Sequence, residues 1–163
     1  MVFLDVSKAF DKVWHEGFIH KLKCIGIGGN LLKWLESYLH NRRQRVVING
    51  QASEWSLTEA GVPQGSILGP LLFLIYINDI IKGIICNIFL FADDTSLMKV
   101  IENSIQDFAD INRDLSTLAD WAHQWLVTFQ ALKTVYMIFS RKQKKLVHPH
   151  LFLEATPLKE GTN

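Results

Sequence analysis

Two adjacent carboxylates, Asp93 and Asp94, follow the apolar run Ile88 to Phe91 and precede the apolar-polar stretch Thr95 to Val100. That placement reads as a β-hairpin with charged residues at its tip. Neighbouring carboxylates disfavour each other's ionisation, whereas a divalent cation holds both as oxygen ligands. A third carboxylate, Asp5, ends the short apolar run Val2-Phe3-Leu4, which reads as a buried strand. Asp5 and Asp93 stand 93 − 5 = 88 positions apart, but strand ends side by side in one sheet would gather all three groups. A cluster of about −3 is tolerable only around divalent metal, and hard oxygen donors select Mg²⁺ or Mn²⁺ over zinc.

The elements that must position these groups are legible from periodicity. Phe18, Leu22 and Ile25 fall at helical spacing until Gly26, Gly28 and Gly29 break the pattern, and Asn30 then reads as the N-cap of a helix over Leu31 to His40. Arg45 to Ile48, the Asn49-Gly50 pair and a segment with Trp55 and Leu57 predict a hairpin closed by a type I′ turn. Gly61-Val62-Pro63-Gln64-Gly65 is a constrained loop, and Ile67 to Ile81, too long for a single strand, reads best as a buried helix with a tight start. Ile105, Phe108, Ile111, Leu115, Leu118, Ala122 and Trp125 recur every three or four residues and predict an amphipathic helix packed on a sheet. Val135 to Phe139 is a further strand, and Arg141 to Lys145 leads into a Pro-containing tail without a clear period. Together these predict an α+β fold with helices on one face of the sheet.

Composition bounds the rest. The 163 residues fit one domain, and 48% hydrophobic content suffices for a core. A formal charge of +1 gives only a weak bulk electrostatic argument for nucleic acid, so local clusters must carry it. Those clusters are Arg42-Arg43-Arg45 and Arg141 to Lys145, either solvated surface or contacts to nucleic-acid phosphates. Cys24 and Cys86 suit buried, reduced thiols in an intracellular setting, nucleus or cytoplasm. The longest apolar run, Ile67 to Ile77, falls short of the roughly 20 residues that span a bilayer, and the residues from Met1 onward do not have the pattern expected of a secretory signal. Trp14, Trp34, Trp55, Trp121 and Trp125 are expected in the core, with base stacking on one of them as the alternative, and His148-Pro149-His150 as a surface turn.

An Asp-Asp pair alone is more often a turn than a metal site. Three phrases in one order change that weighting: Leu4-Asp5-Val6-Ser7-Lys8-Ala9-Phe10-Asp11, Gly61 to Pro70 with Pro63-Gln64-Gly65, and Phe91-Ala92-Asp93-Asp94. They resemble the central motifs of a reverse transcriptase, and most fully those of non-LTR (LINE-type) retrotransposons, over residues 2 to 145. The resemblance implies a palm-type polymerase domain with an antiparallel sheet, transferring deoxynucleotides to a primer 3′-hydroxyl on an RNA template with two Mg²⁺ ions, for which Mn²⁺ can substitute. It implies that Asp5 and Asp93 bridge the metals, with the Val6 carbonyl as a further ligand and Asp94 in support. Phe10 matches the steric gate against a ribose 2′-hydroxyl, Gln64 and Gly65 match the loop that approaches the nascent base pair, and Lys133 matches the lysine that neutralises leaving pyrophosphate.

One departure stands beside that lysine. The family usually carries Asn in a Phe-Asn-x-x-Lys-Thr phrase, whereas this chain reads Phe129-Gln130-Ala131-Leu132-Lys133-Thr134. The resemblance further implies that residues 1–145 are a palm with partial fingers and 146–163 a tail toward a missing primer grip and thumb. A chain so divided is expected to be inactive in isolation. The rival expectation is a noncatalytic relic or a palm domain kept for binding RNA or protein, and a third is a template-dependent RNA polymerase, against which Phe10 argues. Oligomeric state is not legible.

Overall fold

The computed structural model describes residues 1–141 and 148–161. In chain order the elements are β1 (Val2–Leu4), α1 (His15–Cys24), α2 (Gly29–Leu39), β2 (Arg43–Gln44), β3 (Val47–Ile48), β4 (Gln51–Ala52) and β5 (Ser56–Leu57). There follow α3 (Leu68–Ile77), a 3-10 turn (Asn78–Ile81), β6 (Asn87–Phe91), β7 (Asp94–Met98), α4 (Ser104–Gln124), β8 (Val135–Tyr136), β9 (Phe152–Leu153), β10 (Thr156–Pro157) and β11 (Lys159–Glu160). The fold is mixed α/β, and of its strand pairings only β8 with β11 is parallel among the described residues. The chain divides into two compact units, Met1–Ser7 with Ile77–Asn163, and Lys8–Tyr76.

The first unit is built on a five-stranded sheet in the order β11-β8-β1-β7-β6. Period-2 alternation in β1 buries Val2 and Leu4 and turns Phe3 outward, and the buried side chains join Leu97 of β7. Phe108, Ile111, Leu115, Leu118 and Ala119 of α4 belong to the same cluster, so that helix covers this face, each fully buried side chain contributing about 2 kcal/mol. On the opposite face Phe3 and Phe89, both paired with Ser96, remain exposed.

Local chemistry starts α4 where it does. The Asn103 side chain accepts from the Gln106 amide, while the Asp107 carboxylate accepts from the amides of Glu102 and Asn103, each at 2.8 Å. Those backbone bonds, with Lys99 at 3.4 Å, hold the Asp107 carboxyl below its usual range. Deeper in the helix, Asp114 is fully buried and accepts from the Ile85 amide and, at 2.7 Å, from the Cys86 amide, which fixes the entry to β6. Burial first, then the Asp114 carboxylate, pushes the Cys86 thiol up to about 12.

In the second unit, Phe18, Leu22, Leu35, Leu39, Val62, Leu72, Phe73 and Tyr76 are buried. The Lys21 ammonium is carried inside as well, donating to the Tyr76 carbonyl at 2.6 Å. β2 pairs with β5 and β3 with β4, the latter through Asn49 and Gly50, both at positive φ as a type I′ turn requires.

Several expectations are corrected. The second helix begins at Gly29 after Gly28, not at Leu31 after Asn30, because the extended backbone at Gly28 already lets the helix start. The Ile67 to Ile81 stretch is helical in two pieces but not buried all round, since Ile67, Leu71 and Leu74 are exposed. Trp34, Trp55 and Cys24 are exposed rather than in a core. The strand expected over Val135 to Phe139 is only Val135–Tyr136. His148 is no free surface turn, since its ring stacks on Phe108 at 4.4 Å. The stretch after it, read as lacking a period, forms β9, β10 and β11 and buries Leu151, Leu153 and Leu158. The basic cluster beyond Arg141 and the boundary at residue 145 lie outside the described residues.

Candidate active site

The β6–β7 hairpin closes with Phe91 opposite Asp94, leaving Ala92 and Asp93 as a two-residue turn. Ala92 has φ +52°, a left-handed conformation that costs a residue with a Cβ about 1–2 kcal/mol. One step along, Thr95 is buried and pairs with Leu4 of β1. Asp94 precedes Thr95 and Asp5 follows Leu4, so antiparallel register sets these two carboxylates at the same end of neighbouring strands. Asp93 stands in the adjoining turn. Among the described residues no three His, Cys, Asp or Glu side chains lie close enough together to hold one cation.

The backbone after β1 is pinned by residues 128–134. Ser7 N donates to the Thr128 carbonyl at 2.8 Å, Val6 bridges Phe129, and Gln130 N donates to the Asp5 carbonyl at 2.8 Å. The Gln130 side chain adds a bond from Nε2 to the Ser7 hydroxyl at 3.1 Å. Its own carbonyl accepts from the amides of Lys133 and Thr134 and from the Thr134 hydroxyl, closing the turn that carries Lys133. Lys133 Nζ lies 3.9 Å from Asp5 Oδ2, with the two side chains 64% and 42% exposed, so the pair is screened and contributes under about 1 kcal/mol.

Phe10, Gln64 and Gly65 belong to the second unit. Phe10 is half-buried and stacks on Phe73 with ring centroids 4.8 Å apart, while its carbonyl accepts from Val62 N at 2.7 Å. Gln64 is exposed and donates from Nε2 to Asp11 Oδ1 at 3.1 Å. The space beside Gly65 is open, so its φ of +80° rather than crowding is what favours glycine there. Gly61 is needed on both counts: φ is +86° and a Cβ would meet the carbonyl oxygens of Phe10 and Asp11 at 2.8 Å. The Gly61 carbonyl accepts from His15 Nε2 at 2.7 Å and from Arg42 Nη2 at 2.6 Å. Burial, with the Arg42 charge nearby, pulls the His15 pKa down.

Comparison with known proteins decides the family. The family model described as reverse transcriptase (RNA-dependent DNA polymerase) matches residues 1–153. The chain belongs to the reverse transcriptase family. It is 32% identical to a probable RNA-directed DNA polymerase from transposon BS of Drosophila melanogaster, over 96% of the chain and 18% of that protein. It is 31% identical to the RNA-directed DNA polymerase from mobile element jockey of Drosophila funebris, over 85% of the chain and 16% of the relative. A probable polymerase from transposon X-element of Drosophila melanogaster is also 31% identical, over 96% and 18%. The chain thus spans less than a fifth of the length of these relatives. The resemblance to reverse transcriptases of retrotransposons is borne out, and among the described residues no helix is long and apolar enough to cross a membrane.

Four polar residues shape the chain through contacts that were not anticipated from sequence. Ser7 and Gln130 meet across the chain and leave no local signal. Asp11 gained its role only through Gln64. Asp114 did leave one: it falls on the apolar stripe of α4 between Ile111 and Leu118, where an unpartnered carboxylate is too costly to keep.

Proposed function

We propose that the chain is the palm, with part of the fingers, of an RNA-directed DNA polymerase that extends a DNA primer on an RNA template with deoxynucleoside triphosphates. The observation that carries this reading is the β1–β7 register, which sets Asp5 and Asp94 at one sheet end with Asp93 in the adjoining turn, in a chain of the reverse transcriptase family. The donor chemistry fits Mg²⁺ or Mn²⁺, because all three groups are hard carboxylate oxygens and the Asp5 side chain is 42% exposed. Asp5, Asp93 and Asp94, which do not converge on one cation in this structure, would with the Val6 carbonyl hold the ions once drawn together around them. When bound, two such ions lower the pKa of a primer 3′-hydroxyl and neutralise the triphosphate.

The chain's own residues take the remaining roles. Lys133, already within ion-pair range of Asp5, offers a mobile ammonium to the leaving pyrophosphate. The Phe10 ring, stacked on Phe73, would refuse a ribose 2′-hydroxyl. Gln64 and Gly65 form the loop that meets the template strand. The work is intracellular.

The test is Mg²⁺- or Mn²⁺-dependent primer extension on an RNA template, run at high chain concentration beside Asp93→Asn/Asp94→Asn, with metal affinity followed by Mn²⁺ paramagnetic resonance. Metal binding that vanishes in the double variant, together with any extension the chain supports, carries the reading. Mn²⁺ affinity equal in both chains removes the metal assignment, and with it the polymerase.

A further inference from the structure

Every residue from Arg43 to Leu57 is exposed, so β2–β5 and β3–β4 form an arm with no core of its own. Two-stranded ribbons of this kind are marginal unless something covers them. The root is firm, because Arg42 donates from Nε to the Leu39 carbonyl and from Nη2 to the Gly61 carbonyl, and Thr58 N donates back to the Arg42 carbonyl. Arg42 is thereby consumed by structure.

Arg43 and Arg45 are not. Neither guanidinium forms an ion pair or hydrogen bond among the described residues, and Arg45 instead lies over the ring of Trp55 at 4.7 Å. Arg43 pairs with Leu57 across the ribbon, and two residues along each strand stand Arg45 and Trp55, so one face carries two arginines beside an indole that is 56% exposed. From Arg42 to Thr58 the only carboxylate is Glu54, giving the arm 3 − 1 = +2 in a chain of net +1.

We infer that this face of the β2–β5 ribbon grips a single strand of nucleic acid, Arg43 and Arg45 on successive phosphates and Trp55 under a base. Arginines about 7 Å apart along a strand suit an extended backbone. Indole stacking is available only from unpaired bases, and the Trp55 ring beneath Arg45 is still exposed enough to offer it. A protein partner would use the exposed apolar side chains of Val47 and Ile48, which the Val47→Asp variant below tests. The class of partner rests on the polymerase reading; the site does not.

The test uses the full chain and fluorescein-labelled uridine RNA or thymidine DNA of about 12 nucleotides, read by polarisation across a salt series. Trp55→Ala is expected to weaken binding about tenfold and Trp55→Phe to restore most of it. Arg43→Ala and Arg45→Ala should each lower the slope of log affinity against log salt by about 0.7. Tighter RNA binding assigns the ribbon to template, tighter DNA binding to the product strand, and both support it. Absence of binding, unchanged affinity and slope in Arg43→Ala/Arg45→Ala, or a self-associated chain dispersed by Val47→Asp would overturn it. Strand binding through the ribbon with Mn²⁺ affinity unchanged in Asp93→Asn/Asp94→Asn keeps this site and removes the polymerase reading, and the converse does the opposite.

Discussion

Gln130 Nε2 donates to the Ser7 hydroxyl across 3.1 Å, joining positions 123 residues apart and locking the backbone that leaves β1 beneath Asp5. This is where the chain departs from the family's usual Asn. The shorter Asn side chain would fall short of Ser7, while the backbone bond from residue 130 to the Asp5 carbonyl would persist.

Gln130→Ala and Ser7→Ala should therefore each lower stability by about 1 kcal/mol, and the double variant by little more than either. Urea unfolding of the four chains measures the coupling. Strict additivity would show that the bond contributes nothing.

The parts of the fold that could be read in advance are those whose pattern is local. Asn49-Gly50 announced its turn, the stripe from Ile105 to Trp125 announced α4, and the apolar run before Asp93 announced a hairpin. β9, β10 and β11 could not be read, because two-residue strands have no period and are fixed by partners such as Val135 far away in sequence. Trp34, Trp55 and Cys24 misled because residue type predicts burial only on average. At the candidate site, strand ends carrying Asp5 and Asp94 were legible as a pair, whereas Gln130 with Ser7 depended on a contact that no local spacing encodes.

Asp114 offers a sharper stability test. Asp114→Ala strands the amides of Ile85 and Cys86 in a buried setting and should cost about 3 kcal/mol, with Asp114→Asn milder because one acceptor survives. Either change should also bring the Cys86 thiol down from about 12. Iodoacetamide labelling against pH reads the second effect, and a thiol that titrates as before would detach Asp114 from Cys86.

Gly61→Ala places a methyl group 2.8 Å from two carbonyl oxygens at a φ of +86°. Both penalties act on the folded state, so a loss of about 2 kcal/mol or more is expected. Gly65→Ala, with open space and strain alone, should lose less. Thermal melts of the two variants give the order, and the reverse order would contradict the packing described around the Gly61 loop.

His15 makes stability depend on pH in a defined direction. Burial, more than the nearby Arg42 and His40 charges, lowers its pKa below the unfolded value of 6.5, with the Gly61 hydrogen bond opposing but not cancelling the effect. Between the depressed folded pKa and 6.5 the unfolded chain binds the extra proton, so stability rises with pH there. The His15 contribution is accordingly complete above pH 6.5 and is lost as pH falls toward the folded pKa. His15→Gln, which can still donate to the Gly61 carbonyl, should flatten that part of the curve. Urea unfolding of both chains between about pH 5 and 8 measures it. Parallel curves would show that the ring is not held neutral by its surroundings.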